Sequence, residues 1–150
     1  DPDKLPDSLE EADIFLDTFN FNAHTTASEA LWAGLPVVTK LGKSFAARVA
    51  GSLLSAVGLD ELITHTELEY EELILELALN PKKLKKIKHK LNKNKITEPL
   101  FDTELYISHI EQSYLKAYDN YLLGNNTVNI NISPWKIHLK DFNDSTFFFL

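Results

Sequence analysis

NAHTTASEALWAGLPVV, residues 22 to 38, decides how the first half of the chain is read. A histidine and two threonines stand where a short apolar segment gives way to a helix-forming one. Ala30, Leu31 and Ala33 favour helix from Thr25 or Thr26 onward, Gly34 supplies the stop, and PVVTK (36–40) opens a β-branched strand. Upstream, ADIFLDTF (12–19) groups Ile14, Phe15 and Leu16 as a buried strand would, and residues 20–23 form the connecting loop.

The same order recurs further along. After the loop Leu41-Gly42-Lys43, Ser44 is placed to cap a helix over FAARVAGSLLSAV (45–57), with Phe45, Val49, Leu53 and Val57 at four-residue spacing and Gly58 as its end. ELITH (61–65) reads as a third strand. Thr66 then caps LEYEELILELALN (68–80), and Glu69 three residues later completes a capping box. Strand and helix alternate three times with short connections. That predicts an α/β fold, a Rossmann-like parallel sheet flanked by helices, with right-handed crossovers and ligands outside the carboxyl ends of the strands. The loop between ADIFLDT and HTTASEA lies at that edge.

Beyond Pro81 the character changes. PKKLKKIKHKLNKNK (81–95) holds eight of the fifteen basic residues. Leu84, Ile87 and Leu91 fall on one helical stripe, so the lysines are read as a solvated face and not as a nucleic-acid or anionic-membrane patch, with the preceding glutamates offsetting part of the charge. FDTELYISHIEQSYLKAYDNYLLG (101–124) is a long helix, capped by Asp102 or Thr103 and stopped by Gly124. Leu105, Ile107, His109, Ile110, Tyr114, Leu115, Tyr118 and Leu122 mark its broad apolar face. In the tail, Val128, Ile130 and Ile132 alternate as an edge strand would.

Composition sets limits on function. A net charge of −7 argues against bulk electrostatic binding of nucleic acid. The lack of cysteine excludes disulfides, thiolate chemistry and cysteine-bound zinc. No run approaches the roughly 18 apolar residues of a membrane span, and the acidic N-terminus is not a signal peptide, so a cytoplasmic location is expected. The chain has no methionine and begins with Asp1, which points to a fragment or C-terminal piece. His65, His89, His109 and His138 are scattered without metal-ligand spacing, so no metal is expected. Arg48, the one arginine, is assigned a structural role, pairing with a carboxylate such as Asp17; the other possibility is that it points toward the ligand edge. Trp32 is expected to anchor its helix on the sheet, with Gly34-Leu35-Pro36 making a tight return. The Asn-x-Ser/Thr triplets at Asn125, Asn131 and Asn143 are read as chance.

A helix start carries unpaired N–H groups and about half a positive charge, so it suits an anion. Thr25 and Thr26 would add hydroxyl donors, His24 a ring N–H, and Glu29, one turn on, an acceptor for ribose hydroxyls. The same residues also serve as ordinary caps, and spacing alone does not choose between a phosphate cradle and a cap.

NAHTTASEALWAGLPVVTKLGKSFAARVAGSLLSAVGLDELI resembles the C-terminal catalytic lobe of the O-GlcNAc transferase family, glycosyltransferase family 41, which includes the SPINDLY-type O-fucosyltransferases. The resemblance runs from about Ala12 through EYEEL and PLFDTELY to near Gly124, and it rests most on H-T-T and L-W-A-G-x-P-V-V-T. It implies a two-lobed GT-B enzyme that moves a sugar from a nucleotide diphosphate to Ser or Thr hydroxyls of an acceptor protein. Residues 12–124 would be part of the donor-binding lobe, 1–11 a polar lead-in from a truncated upstream region, and 125–150 a tail of unassigned role. His24, Thr25 and Thr26 would contact the diphosphate of the nucleotide sugar. Glu29 would bind the ribose, where the animal O-GlcNAc transferases have aspartate. UDP-GlcNAc or another nucleotide sugar would be the donor substrate, with no separate cofactor. The family's phosphate lysine and base-contacting residues lie upstream of the ADIFLDT-like strand, its catalytic histidines in the other lobe, and its TPR repeats further upstream. None is reproduced in this sequence, so no catalytic residue is assigned and the isolated chain is expected to be inactive. The competing expectation is a degenerate, non-catalytic GT-B module that binds a nucleotide or a protein partner through its basic helix and long C-terminal helix.

Overall fold

In the computed structural model, which describes residues 11–125 and 128–132, three short parallel strands lie in the order β1-β2-β3. They are β1 (Phe15–Leu16), β2 (Val37–Lys40) and β3 (Ile63–Thr64), with Phe15 opposite Val37 and Thr39 opposite Ile63. The helices are α1 (Thr25–Ala33), α2 (Val49–Ala56), α3 (Glu67–Leu79), α4 (Pro81–Thr97) and α5 (Thr103–Leu122). The α/β fold with a parallel sheet is as the alternating pattern predicts. Two strands are shorter than expected. Only Phe15 and Leu16 of ADIFLDTF pair, and in ELITH residues 60–62 turn as a 3-10 helix, leaving His65 outside the strand.

The described residues fall into two compact units, divided between Phe101 and Asp102. In the first, α1, α2 and α3 pack on the middle strand, and Val37, Val38 and Thr39 are fully buried. Leu31, Leu54, Leu62, Leu77 and Leu91 complete a core drawn from every helix of this unit and the 60–62 turn.

Local chemistry sets the helix ends. α1 closes with Gly34 at φ +88°, where Gly34 N–H donates to Leu31 O at 3.1 Å and Leu35 N–H to Ala30 O at 2.9 Å. This is a Schellman closure, which needs a left-handed residue and turns the chain into buried Leu35 and Pro36 at the head of β2. The capping box of α3 is complete, with Thr66 Oγ1 accepting from Glu69 N–H at 3.1 Å. α4 begins at Pro81 behind Asn80, whose side chain accepts from Lys83 N–H at 3.1 Å. Ile87 and Leu91 are buried and Leu84 half-buried, so α4 shows the expected apolar stripe. Three of its lysines make exposed ion pairs, Lys83–Glu76, Lys88–Asp13 and Lys90–Glu61, at 2.6 to 2.8 Å.

Three expectations fail for identifiable reasons. The helix expected over 45–57 starts only at Val49. Ala46 O accepts from Asn22 N–H and Ala47 O from Gly42 N–H, both at 2.8 Å, so neither carbonyl is aimed along a helix axis. Ser44 Oγ still accepts from Ala47 N–H at 3.3 Å, but it closes a turn. Trp32 does not anchor α1 on the sheet. It is 52% exposed and meets Phe101 edge-on at 5.0 Å, with Lys95 Nζ donating to its carbonyl at 3.0 Å. Arg48 does not pair with Asp17, whose two carboxylate oxygens are taken by Ala23 N–H and Thr39 Oγ1.

In the second unit, Asp102 caps α5 by accepting from Leu105 N–H at 2.9 Å, and Gly124 takes φ +68° just past its end. No residue of α5 is buried. Residues 128–132 form no strand, so the expected edge strand is absent there; Lys116 Nζ donates to Asn131 O at 2.7 Å. His138, Asn143 and the lead-in before Glu11 lie outside the described residues. Among the described residues no helix is long and apolar enough to cross a membrane.

Candidate functional site

The carboxyl ends of the parallel strands carry the loop of residues 17–24 after β1 and that of 41–48 after β2. Asp17, 3% exposed, ends the first strand. Its Oδ1 accepts from Ala23 N–H at 2.7 Å and its Oδ2 from the Thr39 hydroxyl at 2.5 Å, which ties the loop to β2. Asn22, 1% exposed, donates from Nδ2 to Thr18 O at 2.8 Å. Phe19 packs edge-on against Tyr70 at 5.0 Å, and Lys40 Nζ sits 4.2 Å from the Phe19 ring centre while pairing with Glu67 at 2.9 Å. Burial, reinforced by the Asp17 charge, holds the Tyr70 phenol above its usual range.

From this braced loop the chain enters α1. His24 is the N-cap residue, but no side chain makes a capping hydrogen bond. Its ring is instead engaged laterally, stacked on Phe21 at 4.7 Å and edge-on to Phe45 at 6.2 Å, with Nε2 3.5 Å from Ala46 O. Thr25 and Thr26 are the first two helical residues, and both are exposed. Ser28 N–H donates to His24 O at 3.1 Å, the first bond of the helix, and the amides before it have no intrahelical acceptor. Glu29 is exposed and follows Thr25 by four residues, so the two share a helix face. The structure thus gathers His24, Thr25, Thr26 and Glu29 on one helix start at the carboxyl edge of the sheet. Chemically this offers backbone N–H groups, two hydroxyls, an imidazole and a carboxylate.

Sequence reasoning misses Asp17, Asn22 and Thr39, which brace the loop. An aspartate ending a strand and an asparagine in a loop are unremarkable locally, and the partners that tie them to other elements, Thr39 and Ala50, lie 22 and 28 residues away. Of the scattered histidines, His65 and His89 are exposed and His109 is half-buried on α5. Among the described residues no group of three or more acidic or histidine side chains is placed to hold a metal.

Comparison with known proteins identifies the family. The sequence profile of glycosyl transferase family 41 matches residues 9–110, which span the sheet, α1 to α4 and the start of α5. The chain belongs to glycosyl transferase family 41. Among family members, it is 42% identical over 114 residues to the probable UDP-N-acetylglucosamine--peptide N-acetylglucosaminyltransferase SEC of Arabidopsis thaliana, covering 75% of this chain and 12% of that protein. It is 34% identical over 113 residues to the UDP-N-acetylglucosamine--peptide N-acetylglucosaminyltransferase of Caenorhabditis elegans, covering 75% of this chain and 10% of the relative. A solved structure of a mutant O-GlcNAc transferase from Thermobaculum terrenum superposes with a TM-score of 0.74 at 30% identity, over 78% of this chain and 22% of that one. The chain therefore spans about an eighth or less of the length of these curated relatives. The Rossmann-like parallel sheet with flanking helices is the architecture that this family 41 segment shares with the O-GlcNAc transferase structure.

Proposed function

We propose that this chain is the donor-binding part of a nucleotide-sugar-dependent protein glycosyltransferase of the O-GlcNAc transferase type. In the complete enzyme a sugar passes from a nucleoside diphosphate to Ser or Thr hydroxyls of an acceptor protein presented by TPR repeats, in the cytoplasm. The names of the family 41 relatives, which specify UDP-N-acetylglucosamine and peptide, support UDP-GlcNAc as donor and protein as acceptor.

One observation carries the reading: a helix start without a side-chain cap stands at the carboxyl edge of a parallel sheet, with His24, Thr25 and Thr26 grouped on it. When a glycosyl bond breaks, negative charge builds on the leaving diphosphate. Fixed N–H groups and hydroxyls already aimed at that charge stabilise it without reorganising. His24, Thr25 and Thr26 are assigned to the diphosphate and Glu29 to the ribose hydroxyls. No separate cofactor or metal enters this scheme.

Calorimetric titration of UDP and GDP into the wild type and a Thr25→Ala/Thr26→Ala variant tests it. The expected result is diphosphate binding that weakens about tenfold in the variant, the loss of about 1.4 kcal/mol of hydrogen bonding. Equal affinity in the two proteins would remove the threonines from the site and leave the helix start as a structural feature only.

A further inference from the structure

We propose that Asn22 is the positioning residue of the diphosphate site, a single side chain that holds the His24–Thr26 helix start against the start of α2. This rests on the donor-site reading above.

Asn22 is almost wholly buried, and its amide is used at both ends. Nδ2 donates to Thr18 O at 2.8 Å, across the loop it belongs to. Oδ1 accepts a longer bond, 3.4 Å, from Ala50 N–H in the first turn of α2. The N-cap residue of α2, Arg48, makes no side-chain capping bond, so Asn22 supplies from 28 residues away an acceptor that a local cap ordinarily provides. The backbone of Asn22 is held as well, its N–H donating to Ala46 O at 2.8 Å. That carbonyl is the one 3.5 Å from His24 Nε2, so one point of the 41–48 loop orients both residues. In the peptide that follows Asn22, Ala23 N–H is fixed by Asp17 Oδ1 at 2.7 Å. The two residues preceding His24 are therefore anchored by main chain and side chain before the helix begins.

The chemistry is specific to an amide. A carboxylate at position 22 keeps the acceptor for Ala50 but turns a second acceptor toward Thr18 O, and an alkyl side chain offers neither. A diphosphate held by main-chain N–H groups and two short hydroxyls tolerates errors of only about 0.5 Å in their placement. Asn22 touches no substrate in this scheme. Its effect passes through the direction in which α1 starts.

The test compares Asn22→Ala, Asn22→Asp and a control, Leu77→Val, which loosens the buried core in α3 without touching the hydrogen bonds of this loop. Two quantities are read in the folded proteins by NMR: amide exchange at Ala23, Ser28 and Ala50, and affinity for inorganic pyrophosphate. In Asn22→Ala all three amides are expected to exchange at least tenfold faster and pyrophosphate affinity to fall about tenfold. Asn22→Asp keeps Ala50 protected while Ala23 and Ser28 speed up, and it carries the test if the alanine variant does not fold. The Leu77→Val control, at a similar loss of melting temperature, is expected to change neither quantity at the site. Unchanged exchange at Ala23 and Ser28 in the Asn22 variants, or an equal affinity loss in Leu77→Val, would overturn the proposal. Absence of pyrophosphate binding by the wild type would instead count against the donor-site reading, and the exchange rates would still decide whether Asn22 holds the helix start.

Discussion

The phenol of Tyr70 donates to the main-chain carbonyl of Asp17 at 2.9 Å, joining α3 to the end of β1 across 53 residues of sequence. The carboxylate of the same aspartate holds the following loop and β2. One residue at the carboxyl edge of the sheet therefore fastens a strand end, a loop and a helix, and the helix start bearing His24, Thr25 and Thr26 is built outward from it.

Tyr70→Phe is expected to lower stability by about 1 kcal/mol, the usual net worth of one hydrogen bond, because the ring and its contact with Phe19 are retained. A pH signature accompanies it. Burial, then the Asp17 charge, raises the folded-state pKa above the ordinary 10.0, so the contribution of the neutral phenol is complete below that value and is lost as pH climbs through the folded pKa. Urea unfolding of both proteins at neutral pH and above pH 10 checks this. The variant should lack the part of the alkaline decline that belongs to this residue.

Asp17→Ala strips the acceptor from Ala23 N–H and from the buried Thr39 hydroxyl. Burying unpaired donors costs more than a hydrogen bond returns, so the expected loss is about 3 kcal/mol. Thr39→Val leaves one carboxylate oxygen short of a partner and should cost about 2 kcal/mol. Because the two residues share a bond, the double variant should fall short of the sum by about 1 kcal/mol. Additive losses in urea unfolding would show that the Asp17–Thr39 contact contributes nothing in solution.

What the sequence made legible was whatever is settled within one turn of helix or one strand. Thr66 and Glu69, three residues apart, announce a capping box; Gly34 announces a left-handed stop; Leu84, Ile87 and Leu91 announce the buried stripe of α4. Contacts over long separations were not legible. The carbonyls of Ala46 and Ala47 are claimed by Asn22 and Gly42, and this delays α2 although its apolar spacing runs back to Phe45. Trp32 faces Phe101 and the side of α4, which helical periodicity alone does not distinguish from the sheet. For the candidate site the sequence pointed to His24, Thr25, Thr26 and Glu29 at and after the start of α1, while the bracing by Asp17, Asn22 and Thr39 emerged only with the fold.

Gly34→Ala tests the closure of α1. At φ +88° an L-residue is strained, and the added Cβ would lie 2.8 Å from Asn92 Oδ1 on α4. The backbone term is about 1 to 2 kcal/mol, and the Asn92 side chain must also move. Thermal unfolding should show a loss of at least about 1 kcal/mol. Pairing the change with Asn92→Ala should recover only the steric part, because the backbone strain does not depend on the neighbour.

Thr66→Ala and Glu69→Gln separate the two halves of the α3 capping box. Thr66 Oγ1 accepts from Glu69 N–H, while Glu69 Oε2 accepts from the N–H groups of His65 at 2.8 Å and Thr66 at 3.3 Å. The His65 N–H bond is the main reason that the Glu69 carboxyl lies below its ordinary value of 4.5; desolvation opposes it, and the Thr66 bonds and the nearby His65 ring add to the lowering. A depressed carboxyl pKa stabilises the fold above the unfolded value, and this contribution is lost as pH falls through the folded one. Glu69→Gln should therefore differ from wild type at neutral pH and converge with it in acid. Thr66→Ala loses a hydroxyl cap that does not titrate, so most of its deficit, about 1 kcal/mol, should persist there. Circular dichroism melts across the acid range distinguish the two patterns. If Glu69→Gln runs parallel to wild type at every pH, the carboxylate is not held by the helix start in solution.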